Sequence, residues 1–90
     1  MEGVAQDAAA RVAAAITDDL NYGERLTTWR AALRAEFPDW QCWYVLRYAE
    51  GTTLWCARPA DTQDASQNVY GDSAVELAEA ITVVITGVVP

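Results

Sequence analysis

Hydrophobic positions recur along this chain with two different periods, which separates predicted helices from predicted strands. In residues 3–20, 24–37 and 73–86 the apolar side chains lie three or four positions apart, the spacing of an amphipathic helix. Residues 41–58 instead hold two runs of aromatic and branched side chains around the turn sequence E-G-T-T. This arrangement is typical of a β-hairpin.

The segments after the hairpin complete a mixed fold. Residues 59–67 are polar and without period, which predicts a loop, and residues 68–70 can add a short third strand. Ser73 and Glu76 have the spacing of a capping box at the start of the last helix. We therefore predict one α+β domain over residues 1–90, in the order α-α-β-β-(β)-α, with the helices packed on one face of a small antiparallel sheet.

Each predicted helix has a definite apolar face and a predicted end. The faces consist of Val4, Ala8, Val12, Ile16 and Leu20; of Leu26, Trp29, Leu33 and Phe37; and of Leu77, Ala78, Ile81, Val84, Ile85 and Val88. Asn21 and Gly23 predict a stop after the first helix, with glycine as a left-handed cap. The β-branched second half of the last helix favours an early end or a change to strand.

The length of the hairpin loop decides which side chains share a face, because a slip of one residue turns every side chain over. We favour a three-residue loop over residues 50–52, which puts Leu46 against Cys56 and Tyr44 against Arg58. The alternative, a loop of two or four residues, places Trp55 on the same face as Tyr44.

Under the favoured register, one face of the hairpin carries a mixture of tryptophan, arginine and aliphatic side chains. Its members are Trp43, Val45, Arg47, Trp55 and Ala57. Four tryptophans in 90 residues are many for so small a core, and tryptophan with arginine is typical of binding hot spots. We predict a partner-binding or self-association surface at Trp43, Val45, Arg47 and Trp55; the alternative is that the first helix covers these tryptophans.

The charge balance narrows the class of partner. The chain has 13 acidic and 6 basic residues, a net charge of −7, and 52% of its residues are hydrophobic. A globular protein of this charge is a poor ligand for nucleic acid or anionic lipid, which need cationic density. An alternative function is an acidic mimic of nucleic acid that inhibits a DNA- or RNA-binding protein. Its surface would consist of Asp61, Asp64, Asp72, Glu76 and Glu79.

Residue types that support catalysis are scarce. The chain lacks histidine, the commonest general acid–base and metal ligand, and it has no glycine-rich phosphate loop. Cys42 and Cys56 lie opposite each other in neither register, so we expect two buried thiols in a reducing cytoplasm and no disulfide. No signal peptide is evident, and residues 81–89 are too short to span a bilayer. We expect no enzyme activity, catalytic residue, metal or cofactor.

Two resemblances follow from these elements. The α-β-β-β-α order is similar to that of double-stranded-RNA-binding domains, whose second helix grips phosphates with lysines at its start. Here that start is acidic (D-S-A-V-E, residues 72–76), so RNA binding is not expected. The pattern W-x-x-W, W-x-A-R and D-S-x-x-x-L, at residues 40–43, 55–58 and 72–77, resembles short uncharacterised actinobacterial proteins. That resemblance implies a bacterial origin and no known activity.

Overall fold

Three helices and a three-stranded antiparallel sheet make up the part of the chain that the computed structural model describes, residues 4–16 and 20–87. In chain order the elements are α1 (Val4–Ala14), α2 (Tyr22–Glu36), β1 (Trp40–Arg47), β2 (Thr52–Pro59), a 3-10 turn (Ala65–Gln67), β3 (Val69–Gly71) and α3 (Ala74–Thr86). The α+β class and the α-α-β-β-β-α order are as predicted, and the third strand is present.

The helices lie on one side of the sheet. The strand order is β1-β2-β3, and buried residues of β1 and β2 form a single apolar cluster with residues of all three helices. Helix α3 packs against β2 and β3, and α2 packs against β1. Helix α1 packs on α3 and α2 and, within the described residues, not on a strand. The side of the sheet turned away from the helices is the outer face.

Helix α2 begins where we predicted the preceding helix to stop. Asn21 is its N-cap: the Asn21 side chain accepts from Glu24 N at 2.8 Å, and Asn21 N donates to the Glu24 carboxylate at 3.1 Å. This reciprocal pair satisfies two backbone donors, so Asn21 starts a helix and Gly23 lies inside it. The first helix ends at Ala14, and Leu20 lies outside it. The prediction of a helix over residues 3–20 is therefore wrong at its C-terminal end.

The apolar face predicted for α2 is confirmed. Leu26, Leu33 and Phe37 are buried, and Trp29 packs against the same cluster. Phe37 caps the helix with a φ of −130° and a ψ of 69°, outside the helical region, which is disfavoured for a residue that precedes proline.

Helix α3 continues through its β-branched second half to Gly87, which has a φ of 70° and caps the helix in the left-handed region. Its apolar face is only partly as predicted, since Val84 and Ile85 are more than half exposed. Thr82, which is not part of the predicted apolar face, is buried. Its hydroxyl donates to Ala78 O at 2.8 Å, so the buried polar group is satisfied. Val88 lies outside the described residues.

The hairpin has a four-residue connection, residues 48–51, so the favoured three-residue loop is wrong and the alternative register is present. Arg47 pairs with Thr52, and Tyr44 pairs with Trp55. Gly51 takes a φ of 67°, a conformation that costs glycine little. This register turns Trp55 towards the helices, where it is 2% exposed. Burial of a whole indole outweighs the preference for a shorter loop.

An aromatic cluster on the inner side of the sheet holds α2 in place. The Trp55 ring meets the Trp29 ring edge-on, with centroids 6.2 Å apart, and lies 5.2 Å from the Tyr44 ring. Beside them, the Tyr22 hydroxyl at the start of α2 hydrogen bonds to the Thr53 hydroxyl. The Trp55 side chain of β2 therefore contacts both α2 and β1.

We predict that Trp55→Ala lowers the free energy of unfolding by about 3–5 kcal/mol, the usual cost of deleting a buried large aromatic side chain. Trp43→Ala, on the other side of the sheet, should cost much less because its indole is only half-buried. Urea denaturation of both variants followed by circular dichroism measures the difference. Equal losses would contradict the assignment of Trp55 to the core.

Candidate functional site

The outer face is the one sheet surface against which none of the described helices packs. Side chains alternate along a strand, so the register fixes which of them lie there. The rows across the strands are Gln41 with Arg58, Trp43 with Cys56 and Tyr70, Val45 with Leu54, and Arg47 with Thr52.

The outer face contains three of the four predicted partner-binding residues. Trp43, Val45 and Arg47 lie on it in sequence along β1. Trp55 does not, because the four-residue connection places it on the inner side. The expectation that Trp43 and Trp55 share a face is therefore wrong. The alternative, in which the first helix covers both, is also wrong, since α1 packs on α3 and α2.

Trp43 and Arg58 form a contact at one end of the outer face. The Arg58 guanidinium lies 5.5 Å from the centroid of the Trp43 ring, within cation–π range. Arg58 Nη2 also donates to Gln41 Oε1 at 3.3 Å. The predicted contact between Arg58 and Tyr44 is absent, because the two lie on opposite sides of the sheet. The indole is thus held by its own neighbours and presents a fixed shape.

Arg47 supplies positive charge at the other end of the outer face. Its guanidinium lies 3.6 Å from Asp72 Oδ1 and 3.5 Å from Glu50 Oε2. Both carboxylates are well exposed, so each pair contributes little stability. The contacts hold Arg47 beside the apolar rows without removing it from solvent.

The two cysteines lie on opposite sides of the sheet, and both are free and buried, as small hydrophobic residues would be. Burial raises the pKa of the Cys42 thiol to about 11, although Arg34 and Arg30 partly oppose the rise. Burial also raises the pKa of the Cys56 thiol, against the opposing effect of Arg47. Cys56 lies between Trp43 and Tyr70 in the register. Both thiols are therefore protonated and weakly nucleophilic at neutral pH.

The predicted acidic surface divides between two segments. Asp64 caps the 3-10 turn: its Oδ1 accepts from Ser66 Oγ at 2.8 Å and from Ser66 N at 2.9 Å, and these bonds lower the pKa of Asp64. Asp61 is exposed in the same connection. Asp72 and Glu76 instead line a shallow depression at the start of α3, beside the outer face. Glu79 is exposed further along α3.

Two residues of the outer face, Leu54 and Tyr70, are not among the binding residues predicted from the sequence. Leu54 is half-buried, and Tyr70 is 52% exposed. The sequence holds a signal for Tyr70, because alternation in the predicted third strand separates it from Val69, which packs against the core. Only the correct hairpin register could have placed Leu54.

The described residues show neither a membrane span nor a metal site, and the chain has no match among known proteins. None of the described helices is long and apolar enough to cross a membrane, and the described residues contain no group of three or more potential metal ligands. Comparison of the chain with protein-family models, curated proteins and solved structures found no match. The resemblance to short actinobacterial proteins therefore stays a prediction.

The raised pKa of Cys42 predicts a loss of stability at alkaline pH. Above the ordinary thiol pKa of 9.0 the unfolded chain releases a proton that the folded chain keeps until about pH 11. The unfolded state then binds fewer protons, so the free energy of unfolding falls as pH rises through this window. Urea titrations between pH 8 and 11 measure the slope. Cys42→Ala should show a shallower decline than the wild type, and identical slopes would contradict the assignment.

Proposed function

We propose that the protein is a small, acidic, non-catalytic interaction module that binds a partner protein through the outer face of its sheet. The observation that carries this proposal is the uncovered surface around Trp43, where an indole, aliphatic side chains and two arginines lie together. Val45 is 45% exposed and Tyr70 is 52% exposed. Apolar side chains left on an uncovered face are typical of interaction sites.

The chemistry of the outer face supports a protein partner. Tryptophan, tyrosine and arginine are the residue types most enriched at interface hot spots. Because Arg58 already orders the Trp43 ring, binding loses little side-chain entropy there. An apolar centre with Arg58 at one end, and with Arg47 paired to two carboxylates at the other, suits a protein surface that has an apolar patch with polar groups of both signs around it. The net charge of −7 disfavours nucleic acid as the partner.

The non-catalytic part of the proposal rests on the available side chains. The chain has no histidine, and both thiols have raised pKa values. A cysteine nucleophile needs a depressed pKa or an adjacent base. Two free, buried thiols also suit a reducing compartment such as a bacterial cytoplasm.

An acidic mimic is a second candidate function, favoured by the two carboxylates of Asp72 and Glu76 in one exposed depression. The two functions differ in their response to salt. Exposed charges are screened at high ionic strength, so a mimic should lose affinity steeply. Binding centred on Trp43 should change little.

We predict that the double variant Trp43→Ala/Tyr70→Ala stays folded but weakens partner binding by at least about tenfold, since two central aromatic anchors are removed. Affinity capture with the tagged wild-type chain identifies the partner, and calorimetry at low and high salt measures the affinity. Thr27→Ala, on the exposed side of α2, is the matched control. Unchanged affinity of the folded double variant would refute the outer face as the site, and a steep salt dependence would favour the mimic.

A further inference from the structure

The two edges of the sheet differ in how they are protected. At one edge, β3 has three residues and packs against α3, with Gly71 so close that an added Cβ would lie 2.5 Å from Leu77 N. At the other edge, β1 has eight residues, and no strand among the described residues pairs with its free side. A long open edge can pair with another chain.

The direction of the backbone groups shows which residues of β1 face the open edge. Asp39 O accepts from Ala60 N beside β2, so odd-numbered residues face β2 and even-numbered residues face outward. Cys42 O agrees with this pattern, since it accepts from Arg30 of α2 at 3.3 Å. The outward groups of Tyr44 and Leu46 have no bond to any described residue. The open part of the edge therefore begins after Cys42 and ends at Arg47.

This part of the edge has few of the features that normally prevent strand pairing. Natural edge strands are protected by charged side chains, above all lysine, by proline, by a bulge or by an inward-pointing charge. Residues 43–47 contain no lysine or proline, and their register with β2 is continuous. Their one charged side chain, Arg47, lies at the end of the segment and pairs with Glu50 and Asp72. Val45 and Leu46 are among the exposed large hydrophobic residues. An exposed apolar strand edge of this kind is suited to association.

We propose that a second copy of this chain pairs with the open edge, antiparallel, about a twofold axis at Val45, to form a six-stranded sheet. The paired positions are Val45 with Val45, Tyr44 with Leu46, and Trp43 with Arg47 of the second copy. Tyr44 and Leu46 supply the outward backbone groups, so each open donor and acceptor gains a partner. The pairing stops where Arg30 occupies Cys42 O and where the loop begins at Tyr48.

The side chains of residues 43–47 are complementary to themselves in this arrangement, which favours a second copy over an unrelated peptide. On pairing, the Arg47 guanidinium would turn from the exposed Asp72 carboxylate, now 3.6 Å away, to the Trp43 ring of the second copy, on the side not occupied by Arg58. Such a cation–aromatic pair would form twice, once on each side of the axis. Leu46, which is 37% exposed at the edge, would pack beside Tyr44 of the second copy. A twofold interface needs this match of one segment with itself.

The pairing concerns the edge of β1, goes beyond the proposed function and does not depend on it. It joins the outer faces of two copies into one continuous surface. Because each copy has a net charge of −7, the copies repel one another, and added salt should strengthen the association.

A charge-pairing experiment at Val45 tests both the pairing and its register. Sedimentation equilibrium of the wild-type chain should give a dimer. Val45→Lys and Val45→Glu should each give a monomer, because residue 45 faces its own copy and like charges directly opposite are destabilising. An equimolar mixture of the two variants should recover a heterodimer. Circular dichroism checks that each variant is folded, as expected for changes at an exposed position.

Tyr70→Lys is the control, since Tyr70 is exposed on the outer face at the far strand. It should dimerise like the wild type while it loses affinity for the partner of the proposed function. Each of the two proposals can therefore be refuted without the other. A wild-type monomer up to high micromolar concentration would overturn the pairing. So would dimers of the charged variants, a mixture that stays monomeric, or a monomeric Tyr70→Lys.

Discussion

Burial of the Trp55 indole is the constraint on which the rest of the structure depends. The ring lies between Trp29 of α2 and Tyr44 of β1, so it joins one helix to both strands of the hairpin. In a chain of 90 residues the core is small, and one large aromatic side chain provides much of its apolar contact. Once Trp55 points inward, alternation places Trp43, Val45 and Arg47 on the opposite side. Burial of Trp55 therefore determines both the composition of the core and the composition of the outer face.

Periodicity predicts the elements of this fold well, and it predicts pairing poorly. The apolar face of α2 and the hairpin follow directly from spacing, because each depends on local pattern. The hairpin register does not, since both registers give two apolar faces and only the contact of Trp55 with Trp29 decides between them. The start of α2 was missed because Asn21 can serve as a cap or as part of a stop, and the reciprocal bond with Glu24 favours the cap.

The candidate site was partly predictable for the same reason. Trp43, Val45 and Arg47 share a face in either register, since they are alternate residues of one strand. The contributions of β2 and β3 depend on pairing, so Trp55 was placed wrongly and Leu54 and Tyr70 were missed. Long-range contacts carry the information that local sequence lacks: Arg47 approaches Asp72 across the middle strand, although the two residues are far apart in the chain.

The closeness of Gly71 to the backbone of Leu77 has a consequence for how this protein can diverge. No side chain fits between β3 and α3, because even a methyl group would meet main-chain atoms that cannot rotate away. A larger residue cannot replace Gly71 without displacing the backbone of α3, whereas exposed positions such as Tyr70 can change without disturbing the packing. Descendants of this chain can thus acquire new surface chemistry while one glycine keeps the same junction.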